Sequence, residues 1–285
     1  MDIAGIRLSW KYTEDYYKQY THDTWNESAP YYTPVLKNLD KYTPALLAAA
    51  TPRPGDSVLD VATGPGEPAC TIGPLVGEEG SVLGFDLSEK MIEIARERAR
   101  ELQRPNVRFE VMDAENLDLQ DGSFDLAVCR FGLQIVTDPE KCMAEAHRVL
   151  RKGGRFAATV WGPGERVPSI HAIIEPMLKH ATPDETGYIP TPYEMGGPGE
   201  LVAILERAGF ARCEERRVTL DWTFRDEEQY MDSVLKGTPI GHSLGEEDEA
   251  VQKQVLRETR ENLKRWKTAG GIVMPSEAVV VSAVK

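Results

Sequence analysis

The stretch Val58-Leu59-Asp60-Val61-Ala62-Thr63-Gly64-Pro65-Gly66 decides the fold. Ser57 to Val61 reads as an apolar strand, and the glycines after it turn the chain into a helix over Ala69–Val76. The same rhythm continues outward. Ser81 to Asp86 is a second strand, and Ser88 caps a helix with Met91, Ile92, Ala95, Ala99 and Leu102 on one face. Val107 to Met112, Phe124 to Cys129 and Arg155 to Val160 read as three more strands. A helix opened by Asp138-Pro139 and stopped at Lys152-Gly153-Gly154 lies between the last two. Strands alternating with helices predict an α/β fold, a Rossmann-like, doubly wound, mostly parallel sheet covered on both faces.

Three acidic residues close the first three strands in positions where chemistry is expected. In the glycine turn, Gly64 and Gly66 let backbone approach a ligand beside a helix N-terminus, although such turns are common. Asp86 follows Gly66 by twenty residues and ends the second strand; there a carboxylate accepts paired ribose hydroxyls, or else merely helps start the next helix. Asp113, in Met112-Asp113-Ala114, stands where an adenine edge would lie, or is a turn residue. Gly64-x-Gly66-x-x-Ala69 with a downstream acid also fits the dinucleotide fingerprint of NAD(P)-dependent oxidoreductases. Against that reading, Asp60 sits just before the loop, Pro65 sits inside it, and no hydride-transfer site follows. A ligand carrying a sulfonium and an ammonium suits such an acidic rim better than a pyrophosphate does.

The series Val58–Gly66, Gly84–Ser88, Met112–Glu115, Phe124-Asp125-Leu126, Phe131–Pro139 and Arg148–Gly154 resembles class I S-adenosylmethionine-dependent methyltransferases. It is most similar to the ubiquinone/menaquinone C-methyltransferase type. The likeness spans roughly residues 45–160, with a fainter echo in Ala208-Gly209-Phe210 and the final strand. It implies S-adenosyl-L-methionine as cofactor, with Asp60, Ala62, Gly64 and Gly66 around the methionine end and Asp86 on the ribose. Leu87 and Met91 would lie against the adenine, Asp113 and Ala114 at its edge, and Arg130 and Phe131 beside the sulfonium. Ala62-Thr63 departs from the Gly-Cys or Gly-Thr usual before the loop glycine, which weakens assignment to one subfamily. An aromatic N-terminal segment closes over the cofactor in similar enzymes, and Trp25–Tyr32 resembles it; aromatics packed on a core give the same pattern.

Composition narrows the rest. The 285 residues carry a formal net charge of −13, and the basic residues are interleaved with Glu, as in Arg96–Glu101, so nucleic acid is not the expected substrate. No apolar run spans a bilayer and the N-terminus lacks a signal-peptide pattern, so the expected location is cytoplasmic. Four scattered cysteines and five histidines form no metal-ligand spacing, so no metal is expected. The expected organisation is an N-terminal aromatic helical lid over 1–44, a cofactor-binding core over 45–161, and cap segments with the last two strands over 162–285.

Beyond Trp161 the pattern predicts a helix around His171–His180, a shaped loop over Ile189–Pro198 and a short helix over Glu200–Ala208. It then predicts a strand at Val218–Trp222, a helix over Asp226–Leu235, a loop over Lys236–His242, a long helix over Glu246–Lys267 and a strand over Ala278–Val284. Methyl transfer needs alignment above all, and a base only where the acceptor loses a proton. Candidate bases are His22, His171, His180, His242 and Tyr193; the catalytic residue is otherwise unknown. The expected partner is a small-molecule substrate such as a quinone, polyketide or terpenoid. A homodimer is compatible with the sequence, and so is a cofactor-binding regulatory protein without turnover.

Overall fold

The computed structural model describes residues 14–181 and 191–285. Trp10 and Tyr12 of the aromatic N-terminal segment, and Ile189 and Pro190 of the expected loop, lie outside the described residues. Three helices lead in: α1 (Glu14–Ser28), α2 (Thr33–Leu39) and α3 (Thr43–Ala50). The alternating part follows as β1 (Ser57–Val61), α4 (Ala69–Val76), β2 (Ser81–Asp86), α5 (Glu89–Glu101), β3 (Val107–Val111), β4 (Phe124–Arg130), α6 (Pro139–Val149) and β5 (Leu150–Trp161). After it come α7 (Pro168–His180), α8 (Glu200–Arg207), β6 (Ala211–Phe224), α9 (Glu227–Gly237), α10 (Pro239–Gly245), α11 (Glu249–Leu263), β7 (Lys267–Thr268) and β8 (Gly271–Val284).

The strands form one sheet in the order β3-β2-β1-β4-β5-β8-β6, with β7 paired to β8. The first five strands are parallel, whereas β8 runs antiparallel to both β5 and β6. Alternation along β1 sends Val58 and Asp60 to the face covered by α3, α4 and α5, and Leu59 and Val61 to the face covered by α6 and α8. Each fully buried Leu, Ile, Val or Phe on these faces contributes roughly 1.5–3 kcal/mol. A third cluster gathers Phe131 and Trp161, at the carboxyl ends of β4 and β5, with side chains of α7, α9 and α11. Among the described residues no helix is long and apolar enough to cross a membrane, and no group of side chains is arranged to hold a metal.

Several elements differ from the sequence reading. The helix expected to reach Gly154 ends at Val149, because Leu150 already pairs with Phe124 across the sheet. The register then shifts before Leu126 pairs with Arg155, so Lys152-Gly153-Gly154 is an irregularity inside a strand. The expected loop Lys236–His242 is helical: Thr238 ends α9 and caps α10, its Oγ1 accepting from Ile240 N at 3.3 Å, with Pro239 at the first helical position. The long helix expected over Glu246–Lys267 is instead α11 alone, followed by a single 3-10 turn and β7.

Candidate functional site

The glycine turn after β1 is organised from beneath by Asp60. Its Oδ2 accepts from Thr63 Oγ1 at 2.6 Å and from Ala69 N, the first residue of α4, at 3.0 Å. The carboxyl group is wholly buried, which pushes its pKa up to about 7 against the pull of those hydrogen bonds. Its other oxygen, Oδ1, has no hydrogen-bond partner among the described residues. Asp60 was expected to line the methionine end; the structure sets it below the turn and outside the lining of the open cleft.

Ala62 and Phe131 end neighbouring strands with φ of 52° and 59°, the left-handed region that side chains other than glycine rarely adopt. Between them Gly132 is enforced by space, since a Cβ there would lie 2.5 Å from that of Ala62 and 2.9 Å from Cys129 Sγ. Strain of this kind, held by close packing on both sides, concentrates where backbone must face a ligand.

The carboxyl ends of β1, β2 and β3 open onto a cleft, the kind of place where α/β sheets take small-molecule ligands. Ala62, Asp86, Leu87, Asp113, Ala114 and Trp25 all border it. Asp86 takes one backbone N–H on each oxygen, Gly64 N at 2.9 Å and Ser88 N at 3.0 Å, leaving a lone pair on each. Burial raises its pKa above the ordinary carboxylate value, opposed by these amides. Met91, expected against the adenine, is buried in the first turn of α5 and does not border the cleft; its N–H donates to the cap Ser88 Oγ. Gly66 packs closely, with Ala95 and Phe109 3.1 Å from where its Cβ would sit.

Arg130 does not face the cleft. Its guanidinium reaches Asp40 Oδ1 at 2.8 Å, Thr43 Oγ1 at 3.3 Å and the Glu67 carbonyl at 3.0 Å, tying the lead-in helices to the glycine turn; its Nε has no hydrogen-bond partner among the described residues. Phe131 stacks on Trp161 with centroids 4.1 Å apart. Both therefore stand beside the turn, next to the aromatic cluster.

Helix α1 roofs the cleft with Lys18, Thr21, His22 and Trp25, spaced three or four residues apart on one helical face. Lys18 Nζ lies 2.9 Å from Asp113 Oδ2 and 2.8 Å from Glu115 Oε2. Burial lowers the Lys18 pKa, but the two carboxylates outweigh it and hold it above the ordinary lysine value. Glu115, itself buried, also accepts Thr137 N and Asp138 N at 2.7 and 2.9 Å, fixing the segment after β4. Asn26 Oδ1 accepts from Ser88 Oγ and Lys90 N, so the roof is bolted to the start of α5.

Sequence reasoning missed Lys18, Thr21 and Glu115. The helical spacing of Lys18, Thr21, His22 and Trp25 is a signal for the first two, and Glu115 lies inside the quoted Met112–Glu115 motif. Of the candidate bases, His22 borders the cleft and pairs with Asp23 and Glu89. His180 is engaged by Glu258 and His242 by Glu27, while His171 and Tyr193 face each other in the aromatic cluster.

The cleft is poorly suited to a dinucleotide: Asp86, Asp113 and Glu115 border it, and its lysine is committed to two of them. It fits an adenosyl sulfonium. The carboxylate of Asp86 borders it, and Asp60 Oδ1 and Arg130 Nε, beside the glycine turn, have no hydrogen-bond partner among the described residues.

A family model described as a methyltransferase domain matches residues 52–207. The chain is 45% identical over 115 residues to an uncharacterised 37.1 kDa protein in transposon TN4556 of Streptomyces fradiae, covering 40% of this chain and 33% of that one. It is 32% identical over 178 residues to the ubiquinone/menaquinone biosynthesis C-methyltransferase UbiE of Teredinibacter turnerae, covering 59% of this chain and 72% of that one. The fold is similar to that of the YcgJ protein of Bacillus subtilis, with a TM-score of 0.59 and 21% identity, covering 86% of this chain and 98% of that one. With a methyltransferase-domain match over more than half its length and a UbiE relative largely spanned, the chain belongs to the class I S-adenosylmethionine-dependent methyltransferases, close to the UbiE type.

Proposed function

We propose that this protein transfers the methyl group of S-adenosyl-L-methionine to a small organic acceptor, with Asp86 and Asp113 holding the adenosine and the turn at Ala62–Gly66 holding the methionine end. The observation that carries this is the grouping of Asp86, Leu87, Asp113, Ala114 and Trp25 around one cleft at the carboxyl ends of β2 and β3. When bound, the cofactor supplies an electrophilic methyl on a sulfonium whose departure leaves a neutral thioether. The chain's own residues then align and exclude water: α1 closes the adenosine side, and Phe131 and Trp161 flank the strand ends beside it.

The relatives named as C-methyltransferases support a carbon acceptor in a quinone-like ring, and the aromatic cluster beside Phe131 supports a flat apolar acceptor rather than a macromolecule. The test has two stages. Thermal unfolding is followed with S-adenosylhomocysteine and with NADH; a ligand at 100 times its Kd adds about 2.7 kcal/mol. Stabilisation by S-adenosylhomocysteine alone is expected, and stabilisation by NADH alone overturns the assignment. Label transfer from methyl-labelled cofactor to a panel of quinols, phenols and polyketides is expected next; cofactor binding with no transfer to any of them favours a regulatory protein.

A further inference from the structure

Two tyrosine hydroxyls lie in the interior without a hydrogen-bond partner among the described residues, Tyr193 OH and Tyr230 OH, and the nearby imidazole nitrogen His171 Nδ1 shares that condition. Leaving one such group unmade costs about 1–3 kcal/mol, and folded proteins hold few of them. These three fall in one place. His171 and Tyr193 meet edge to face at 6.0 Å, and Tyr193 packs against the same buried cluster that holds Tyr230. Burial pushes both phenols above their ordinary pKa, so both keep their protons and serve as neutral donors or acceptors.

Their cluster leads back to the cofactor side. Tyr230 packs on Phe224 at 5.1 Å, and Phe224 on Trp222 at 6.2 Å. Trp222 meets Trp161 at 5.4 Å, and Trp161 stacks on Phe131 at the tip of β4. The charged groups around the cluster are engaged or outside it. Arg130 is held by Asp40, Glu277 by Arg166 and Arg217, and Glu194 is exposed. Met177 and Met231, in the same cluster, are soft side chains that repack around a ligand.

We propose that Tyr193 and Tyr230 are the hydrogen-bonding posts of the acceptor site, and that they select an uncharged, flat ring bearing oxygen. Aromatic walls take the ring faces, and the two phenols take its oxygen. An anion or cation would enter with no counter-charge and bear the full desolvation cost. Tyr230 lies beyond the part of the chain matched by the family model, in a segment that the shared cofactor-binding half does not dictate. The proposal rests on the methyltransferase reading, and its test separates the two.

Calorimetry on the chain saturated with S-adenosylhomocysteine compares 1-naphthol with its charged analogues 1-naphthoate and 1-naphthylmethylammonium. The neutral probe is expected to bind at least tenfold more tightly than either ion. Y193F and Y230F are each expected to weaken 1-naphthol binding at least fivefold, to leave S-adenosylhomocysteine affinity unchanged, and to leave Tm unchanged or higher, since each removes an unpaired buried hydroxyl. Equal binding of the ions, no binding of 1-naphthol, an unchanged 1-naphthol affinity in both variants, or a lowered Tm overturns the assignment while S-adenosylhomocysteine still binds. Failure of S-adenosylhomocysteine itself to bind overturns the underlying reading and this one with it.

Discussion

Asp60 carries a cost that shapes the site. Its folded carboxyl keeps a proton up to about pH 7, whereas in the unfolded chain it loses it near 4. Between those values the folded state binds more protons, so this group's contribution to stability falls as pH rises through the window. At about 1.4 kcal/mol per pKa unit, the wild-type chain should lose roughly 2–3 kcal/mol more than D60N between pH 5 and pH 8, measured by urea unfolding. Parallel pH profiles for the two proteins would place the proton elsewhere. That Asp60 belongs to the glycine turn was legible from its place before the glycines. Its hydrogen bonds to Thr63 and Ala69 were not, because they depend on α4 folding back over β1. Arg130 was misplaced for a similar reason: its partner Asp40 lies ninety residues earlier and nothing local announces it.

At the scale of elements, α1 is held by polar contacts more than by burial. Lys18 bridges Asp113 and Glu115, and Asn26 is bonded to Ser88 and Lys90. K18M leaves two carboxylates facing each other, one of them buried, and should weaken docking of the helix by about 1–2 kcal/mol. Hydrogen exchange of the amides of residues 17–28 should speed up roughly tenfold while those of β1 and β4 stay protected; unchanged exchange in α1 would mean that other contacts hold the roof. The parallel strands and their helices were readable because each is a short periodic segment between strong stop signals. Of the helices after β6, α9 was read to within two residues, α10 was missed and α11 was read too long. Thr238-Pro239, a cap followed by proline, was taken for a loop, and the acidic run before α11 was taken into the helix.

Across the whole molecule, the ligand side is built by joining two halves. The parallel strands carry the cleft at their carboxyl ends, and the antiparallel pair of β6 and β8 carries the sheet onward from β5. β8 pairs with β5 from Arg155–Val284 to Trp161–Ala278, covering an edge whose residues are buried. A chain ended at Arg207 would expose that edge and should aggregate, as judged by size-exclusion chromatography; a monodisperse, cooperatively unfolding product would make the antiparallel pair an accessory. The sequence showed only fragments of these two strands, at Val218–Trp222 and Ala278–Val284. The edge strand β6 is studded with charges, from Arg212 to Arg217, that break the apolar alternation on which recognition depends.

The central claim, that one cleft grasps an adenosyl sulfonium through the carboxylate at the tip of β2, is tested most directly by calorimetric titration of S-adenosylhomocysteine into the wild-type chain and D86A. Loss of two charge-assisted hydrogen bonds should weaken binding by about 2–4 kcal/mol, a fall of roughly thirty- to a thousandfold, with the variant still folded. Equal affinity in the two proteins would contradict the account.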